Sequence, residues 1–68
     1  MPSGNYNIPK VGTGTEEDPY RPKYVGDGEM PGVEKWGVTE DGDPMKIDVE
    51  GTQDALDELV AKPDVTEN

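Results

Sequence analysis

The chain has no cysteine, no histidine and no phenylalanine among its 68 residues. Without cysteine no disulfide can staple it, and without cysteine and histidine the usual soft ligands of a structural or catalytic metal are missing. The same two absences remove the ordinary nucleophile and base pair of covalent catalysis, with Ser3 the sole serine. Hydrophobic residues are only 29% of the total, and a chain of this length buries about 60% of the surface its unfolded form exposes. The core must therefore be thin, and a partner surface is the remaining way to supplement it. Bases are scarce as well, 6 against 16 acids, for a formal net charge of -10. Such a field repels phosphate backbones and anionic lipid surfaces, so neither direct nucleic-acid binding nor a membrane role is expected. No apolar run is long enough to span a bilayer and no basic-plus-apolar leader is visible, so export and anchoring are not expected either. Low hydrophobicity with high net charge is also the signature of disorder, which is the competing reading of the whole chain.

What is there divides near Pro31 to Val33. Residues 1–32 hold Pro2, Pro9, Pro19, Pro22 and Pro31 together with most of the glycines, and proline and glycine exclude a regular helix. Short extended pieces fit at Asn5 to Val11 and Tyr24 to Val25, with Tyr6, Ile8 and Val11 as contact residues. Pro9 would confine the first piece to a sheet edge. The expectation is an extended arm over 1–32 that becomes ordered against something else.

From Val33 onward, register carries information. Met45, Ile47 and Val49 alternate with Lys46, Asp48 and Glu50, the period of a half-buried strand. Upstream, Trp36 and Val38 share one face. A two-residue turn at Asp41-Gly42 would pair Val38 with Met45, Trp36 with Ile47 and Lys35 with Asp48, and would place Pro44 at a sheet edge. Thr52 then reads as an N-cap, and Gln53 to Lys62 as a helix whose stripe is Leu56, Leu59 and Val60, widened by Ala55. Asp64 to Glu67 can return as a short strand through Val65, beside Met45 to Val49. The expected fold is α+β: a small two-layer module over 33–68, made of a β-hairpin, one C-terminal helix and a short closing strand, carrying the long irregular N-terminal arm.

Few residues invite chemistry. Gly12-Thr13-Gly14-Thr15 looks like a phosphate loop, but position 17 is Glu where a third glycine is needed, no lysine follows, and three acids stand where a phosphate would lie. A tight turn is the simpler reading. Glu40, Asp41 and Asp43 fail the calcium-loop spacing, because Met45 falls where an oxygen ligand is required, and both they and Glu16, Glu17 and Asp18 read as solvated turn acids. No metal and no cofactor are expected. Asp18-Pro19-Tyr20-Arg21-Pro22 has two readings. The prolines stiffen the backbone and present Tyr20 and Arg21, residue types favoured at binding hot spots; alternatively, Arg21 pairs with a nearby acid and Tyr20 covers the core. On the first reading Tyr6, Tyr20, Arg21 and Tyr24 are the partner-binding residues.

Pro9-Lys10-Val11-Gly12-Thr13-Gly14-Thr15 followed by Asp18-Pro19-Tyr20-Arg21-Pro22 resembles the N-terminal signature of small uncharacterised proteins encoded among the structural genes of tailed viruses and related prophages. Ala55-Leu56 with Lys62-Pro63-Asp64-Val65 is similar to their C-terminal helix and closing strand, whereas Gly26 to Gly32 has no counterpart. The resemblance implies a virion or assembly role and no activity. The expected function is thus a non-enzymatic structural or accessory protein of a viral particle, associated with capsid, head-tail junction or tail. It would be attached to a larger viral structural protein through its arm, in multiple copies where the assembly is symmetric. The alternative is a free acidic regulator or nucleic-acid mimic in the host cytoplasm, bound to a basic site on a host protein.

Overall fold

A computed structural model describes residues 1–28 and 30–68. Its elements in chain order are β1 (Ser3–Ile8), β2 (Lys10–Val11), β3 (Arg21–Pro22), β4 (Val33–Glu40), β5 (Met45–Gly51), α1 (Gln53–Val60) and β6 (Thr66–Glu67). The main sheet is antiparallel, in the order β4-β5-β1-β6, and β2 pairs with β3 as a separate two-stranded ribbon. The α+β expectation holds: a four-stranded sheet, a two-stranded ribbon and one helix.

The arm does not. Residues 3–8 form an interior strand, with Tyr6 opposite Ile47 and Ile8 opposite Met45 on one side and Tyr6 opposite Glu67 on the other. Period two explains the placement, since Tyr6 and Ile8 point into the core while Asn5 and Asn7 point out. Pro9 does not push this strand to an edge, because it falls one residue beyond the last ladder position. The irregular segments that follow also feed the core: Val25 and Met30 are buried, and Pro22 is among the most buried side chains. With Tyr6, Ile8, Pro22, Val25 and Met30 drawn from residues 1–32, the compositional break near Val33 separates no arm from the module. The extended piece expected at Tyr24 to Val25 is a turn, and the ladder residues are Arg21 and Pro22.

The hairpin forms with a register two residues away from the expected one. Trp36 faces Val49, Val38 faces Ile47 and Lys35 faces Glu50, with irregularities between Val33 and Lys35 and between Val38 and Glu40. The connection takes up all of Asp41 to Pro44, with a cis bond before Pro44, instead of closing on two residues. A shift by two keeps every side chain on its own face, so the apolar and polar sides of both strands are as anticipated. Pro44 precedes β5, which lies inside the sheet and not at its edge.

Thr52 caps α1 as expected, its hydroxyl accepting the Ala55 N–H at 3.1 Å. The helix ends at Val60, so Lys62 lies just past it, 3.9 Å from Glu58. Ala55, Leu56 and Leu59 are buried. The helix packs against β5 and β1, which seals Ile8, Ile47 and Val49 completely. Two consequences differ from the sequence reading. Val60 stays 40% exposed, and on β4 Trp36 and Val38, although they sit on the core side of the sheet, stay 39% and 44% exposed. The closing strand also has a different neighbour: β6 pairs with β1, not with β5.

Candidate functional site

The segment from Lys10 to Gly28 closes on itself. Gly12 and Gly14 adopt φ of 107° and 78°, conformations that side chains other than glycine rarely take. They turn three consecutive amides inward: the N–H groups of Thr13 and Gly14 donate to the Asp18 carbonyl at 3.0 Å each, and that of Thr15 at 3.3 Å. The Thr15 hydroxyl in turn accepts the Asp18 N–H at 3.1 Å. An amide nest of this kind is what binds a phosphate in nucleotide loops. Here a backbone carbonyl occupies it.

Arg21 completes the closure. Its Nη1 donates to Asp18 Oδ1 at 2.7 Å and to the Pro19 carbonyl at 3.2 Å, and its Nε pairs with Asp27. Hydrogen bonding to Asp27, then to Asp18, raises its pKa further above the ordinary range. Its guanidinium thus ties the middle of the segment, at Asp18, to its far end, at Asp27. Tyr20 is the exposed member of the four partner-binding candidates, at 56%, with the Lys10 ammonium 4.8 Å from its ring centroid.

Tyr24 anchors the segment to the chain's other end. At φ 67° it holds a left-handed conformation unusual for an aromatic residue. Its hydroxyl donates to Asp64 Oδ1 at 2.7 Å, while Lys23 Nζ donates to Asp64 Oδ2 at 2.9 Å. The ammonium groups of Lys62 and Lys23 lie 5.1 and 5.2 Å from the Tyr24 ring centroid. The hydrogen bond from Lys23, then that from Tyr24, holds the Asp64 carboxyl below the usual range, and the bond to Asp64 raises both Lys23 and Tyr24.

Of the four residues expected to bind a partner, then, Tyr6 is only 4% exposed and belongs to the core. Desolvation, followed by the charges of Glu67 and Asp57, raises its phenol pKa. Arg21 and Tyr24 spend their polar groups on Asp18, Asp27 and Asp64. The structure brings no two of the four together through a hydrogen bond or ion pair, because each serves a different part of the fold.

A second region stands out at β4, the edge of the main sheet. Its core-side residues Trp36 and Val38 stay partly exposed and are not among the residues packed against the core cluster. On the outer side, an open groove of about 520 Å³ runs across β4, β5 and β1, lined by Ser3, Asn5, Lys35, Gly37, Asp48 and Glu50 among others. Asn5 spans its floor, donating to Asp48 Oδ1 at 2.7 Å and to the Thr39 hydroxyl at 3.2 Å. A Cβ built on Gly37 meets nothing within 4 Å. Among the described residues, no group of three or more acids is gathered as a metal site, and no helix is long and apolar enough to cross a membrane. Sequence reasoning assigned Trp36 and Val38 to the buried side of the hairpin, and no signal in their own alternation could reveal that the helix would stop short of them.

No family model matches the chain, and comparisons with curated proteins and with solved structures find no match for it.

Proposed function

We propose that this chain is a non-enzymatic accessory protein of a viral particle that docks on a larger structural subunit, in several copies where the assembly is symmetric. The observation that carries the docking role is the uncovered end of the core side: the only tryptophan of the chain, with Val38 beside it in the register, is left outside the helix's cover. Large exposed apolar groups at a sheet edge mark interaction surfaces. The particle setting is carried by the resemblance at residues 9–15 and 18–22. Attachment runs through β4 on this reading, because residues 3–8 are committed to the interior of the sheet. Mass spectrometry of density-purified particles tests it. The chain should appear at a fixed ratio to the main subunits, and its presence in the lysate but not in the particles would overturn the proposal.

The acidic field favours a second reading, a regulator bound to a basic site on a host protein in the cytoplasm. Among the described residues Lys10, Arg21, Lys23, Lys46 and Lys62 are each paired with an acid of the same chain, so the surplus negative charge faces outward. Salt separates the two: affinity for a purely electrostatic partner is lost at high ionic strength, whereas docking through Trp36 and Val38 keeps its apolar part there.

A further inference from the structure

Strand β4 is an edge of the main sheet, and among the described residues nothing pairs with its free side. Such an edge offers unpaired N–H and C=O groups to an incoming strand. What lies on either face of it specifies what that strand should carry. On the core side Trp36 and Val38 form an apolar shelf beyond the helix. On the outer side Gly37 stands directly opposite Asp48, with no side chain between the free edge and that carboxylate. Asn5 engages Asp48 through Oδ1, which leaves Oδ2 for another donor. A strand added to β4 would lie two strand spacings from β5, about 9–10 Å, a gap that a lysine or arginine side chain closes across a glycine. Glu34 and Glu40 lie near the two ends of the same strand.

We propose that β4 takes up an extended segment of the partner, alternately apolar and basic, as a fifth strand of the sheet, with a basic side chain passing over Gly37 to Asp48. This deepens the docking reading and rests on it. A second copy of the chain is a poor occupant. Each copy carries a formal charge of -10, and the antiparallel register that sets Trp36 of one copy against Val38 of the other also sets Glu34 against Glu40, a like-charge pair that destabilises a ladder. Strand addition of this kind draws affinity from main-chain hydrogen bonds and specificity from alternate side chains.

The test uses a capped seven-residue peptide of alternating lysine and valine, with a glutamate-valine peptide as control. Trp36 emission and backbone amide shifts are followed in the full chain. The basic peptide should shift Trp36 emission and the β4 amides saturably, and the acidic one should not. Val38→Lys, which places a charge on the shelf, should abolish binding. Gly37→Val, which fills empty space, should leave the fold intact by circular dichroism and weaken the basic peptide at least fivefold, as should Asp48→Asn. Unchanged affinity in Val38→Lys and Gly37→Val would overturn the proposal, as would shifts confined to the acids of α1, or a homodimer in sedimentation that protects β4. Particles separate this from the broader reading. Incorporation of Val38→Lys at the wild-type level would remove β4 as the docking route and leave the accessory role standing, whereas absence of the wild-type chain from particles would remove that role without touching the peptide result.

Discussion

The Tyr24 hydroxyl donates to a carboxylate oxygen of Asp64, 2.7 Å away in space and 40 residues later in the chain. Together with the Lys23 ammonium on the other oxygen, it fastens the irregular segment to the turn that leads into β6. Tyr24→Phe and Asp64→Asn should each lower the denaturation midpoint. Because both variants remove the same contact, the double variant should lose less than the sum of the two. Full additivity in a double-mutant cycle would show that the contact contributes nothing.

The acid limb of the stability curve should carry the mark of Asp64. Its carboxyl titrates below the ordinary 3.8 in the folded chain, so its contribution is present above the unfolded value and is lost as pH falls through the lower, folded one. Lys23 behaves in the opposite sense: raised from 10.5 in the fold, it contributes fully below that value and loses its contribution as pH rises through the folded one. The difference in stability between wild type and Asp64→Asn should therefore be flat through neutral pH and shrink below about pH 4. Urea titrations across pH measure it, and a difference independent of pH down to 2 would contradict the assignment.

Arg21 holds the closed segment, and the amides of Thr13, Gly14 and Thr15 report on it. In the wild type these three should exchange slowly for a glycine-rich loop, since all point at the Asp18 carbonyl. Arg21→Gln removes the ties to both Asp18 and Asp27 and should speed their exchange while leaving β5 and β1 amides protected. Lysine at this position should rescue only in part, because it lacks the planar fork that reaches two carboxylates. Gly14→Ala should be costly on its own, by about 1–2 kcal/mol for the left-handed backbone, with the Tyr20 ring displaced as well.

Core and edge should respond very differently to truncation. Ile47 is completely buried between β1 and β4, and Ile47→Ala should cost about 2–5 kcal/mol, enough to unfold much of a domain this small. Val38 sits directly opposite it, yet Val38→Thr should change stability by no more than about 0.5 kcal/mol. Thermal melts of the two variants make the comparison, and equal losses would mean that the helix covers β4 after all.

The elements readable in advance were those whose signal is local. Met45, Ile47 and Val49 alternate without interruption, and Thr52 stands three residues before an amide that needs an acceptor, so β5 and the start of α1 follow from neighbours in sequence. Strand β1 carries the same alternation in Asn5, Tyr6, Asn7 and Ile8, but over a short run next to Pro9, and its interior position depends on partners more than thirty residues away. Pro22, Val25 and Met30 reach the core from turns, where no periodicity marks a buried residue. Of the four candidate site residues, Tyr6 misled because aromatic character alone does not distinguish a hot spot from a core residue. Arg21 followed the alternative reading, in which nearby acids take its charge. The exposure of Trp36 was hidden because a strand's face can be read from its own alternation, whereas the reach of the layer above it cannot.

Strand β1 has a bearing on how the chain is made. It is synthesised before both of its neighbours in the sheet, β5 and β6, which follow more than thirty residues later. On a ribosome, Tyr6 and Ile8 can find no ladder partner until Met45 to Gly51 have cleared the exit, and the strand has its full complement of neighbours only when Thr66 and Glu67 follow. Topologies dominated by such distant pairings fold slowly for their size. The nascent chain therefore keeps this interior strand uncommitted until β5 and β6 have followed it, and the sheet closes around its earliest piece last.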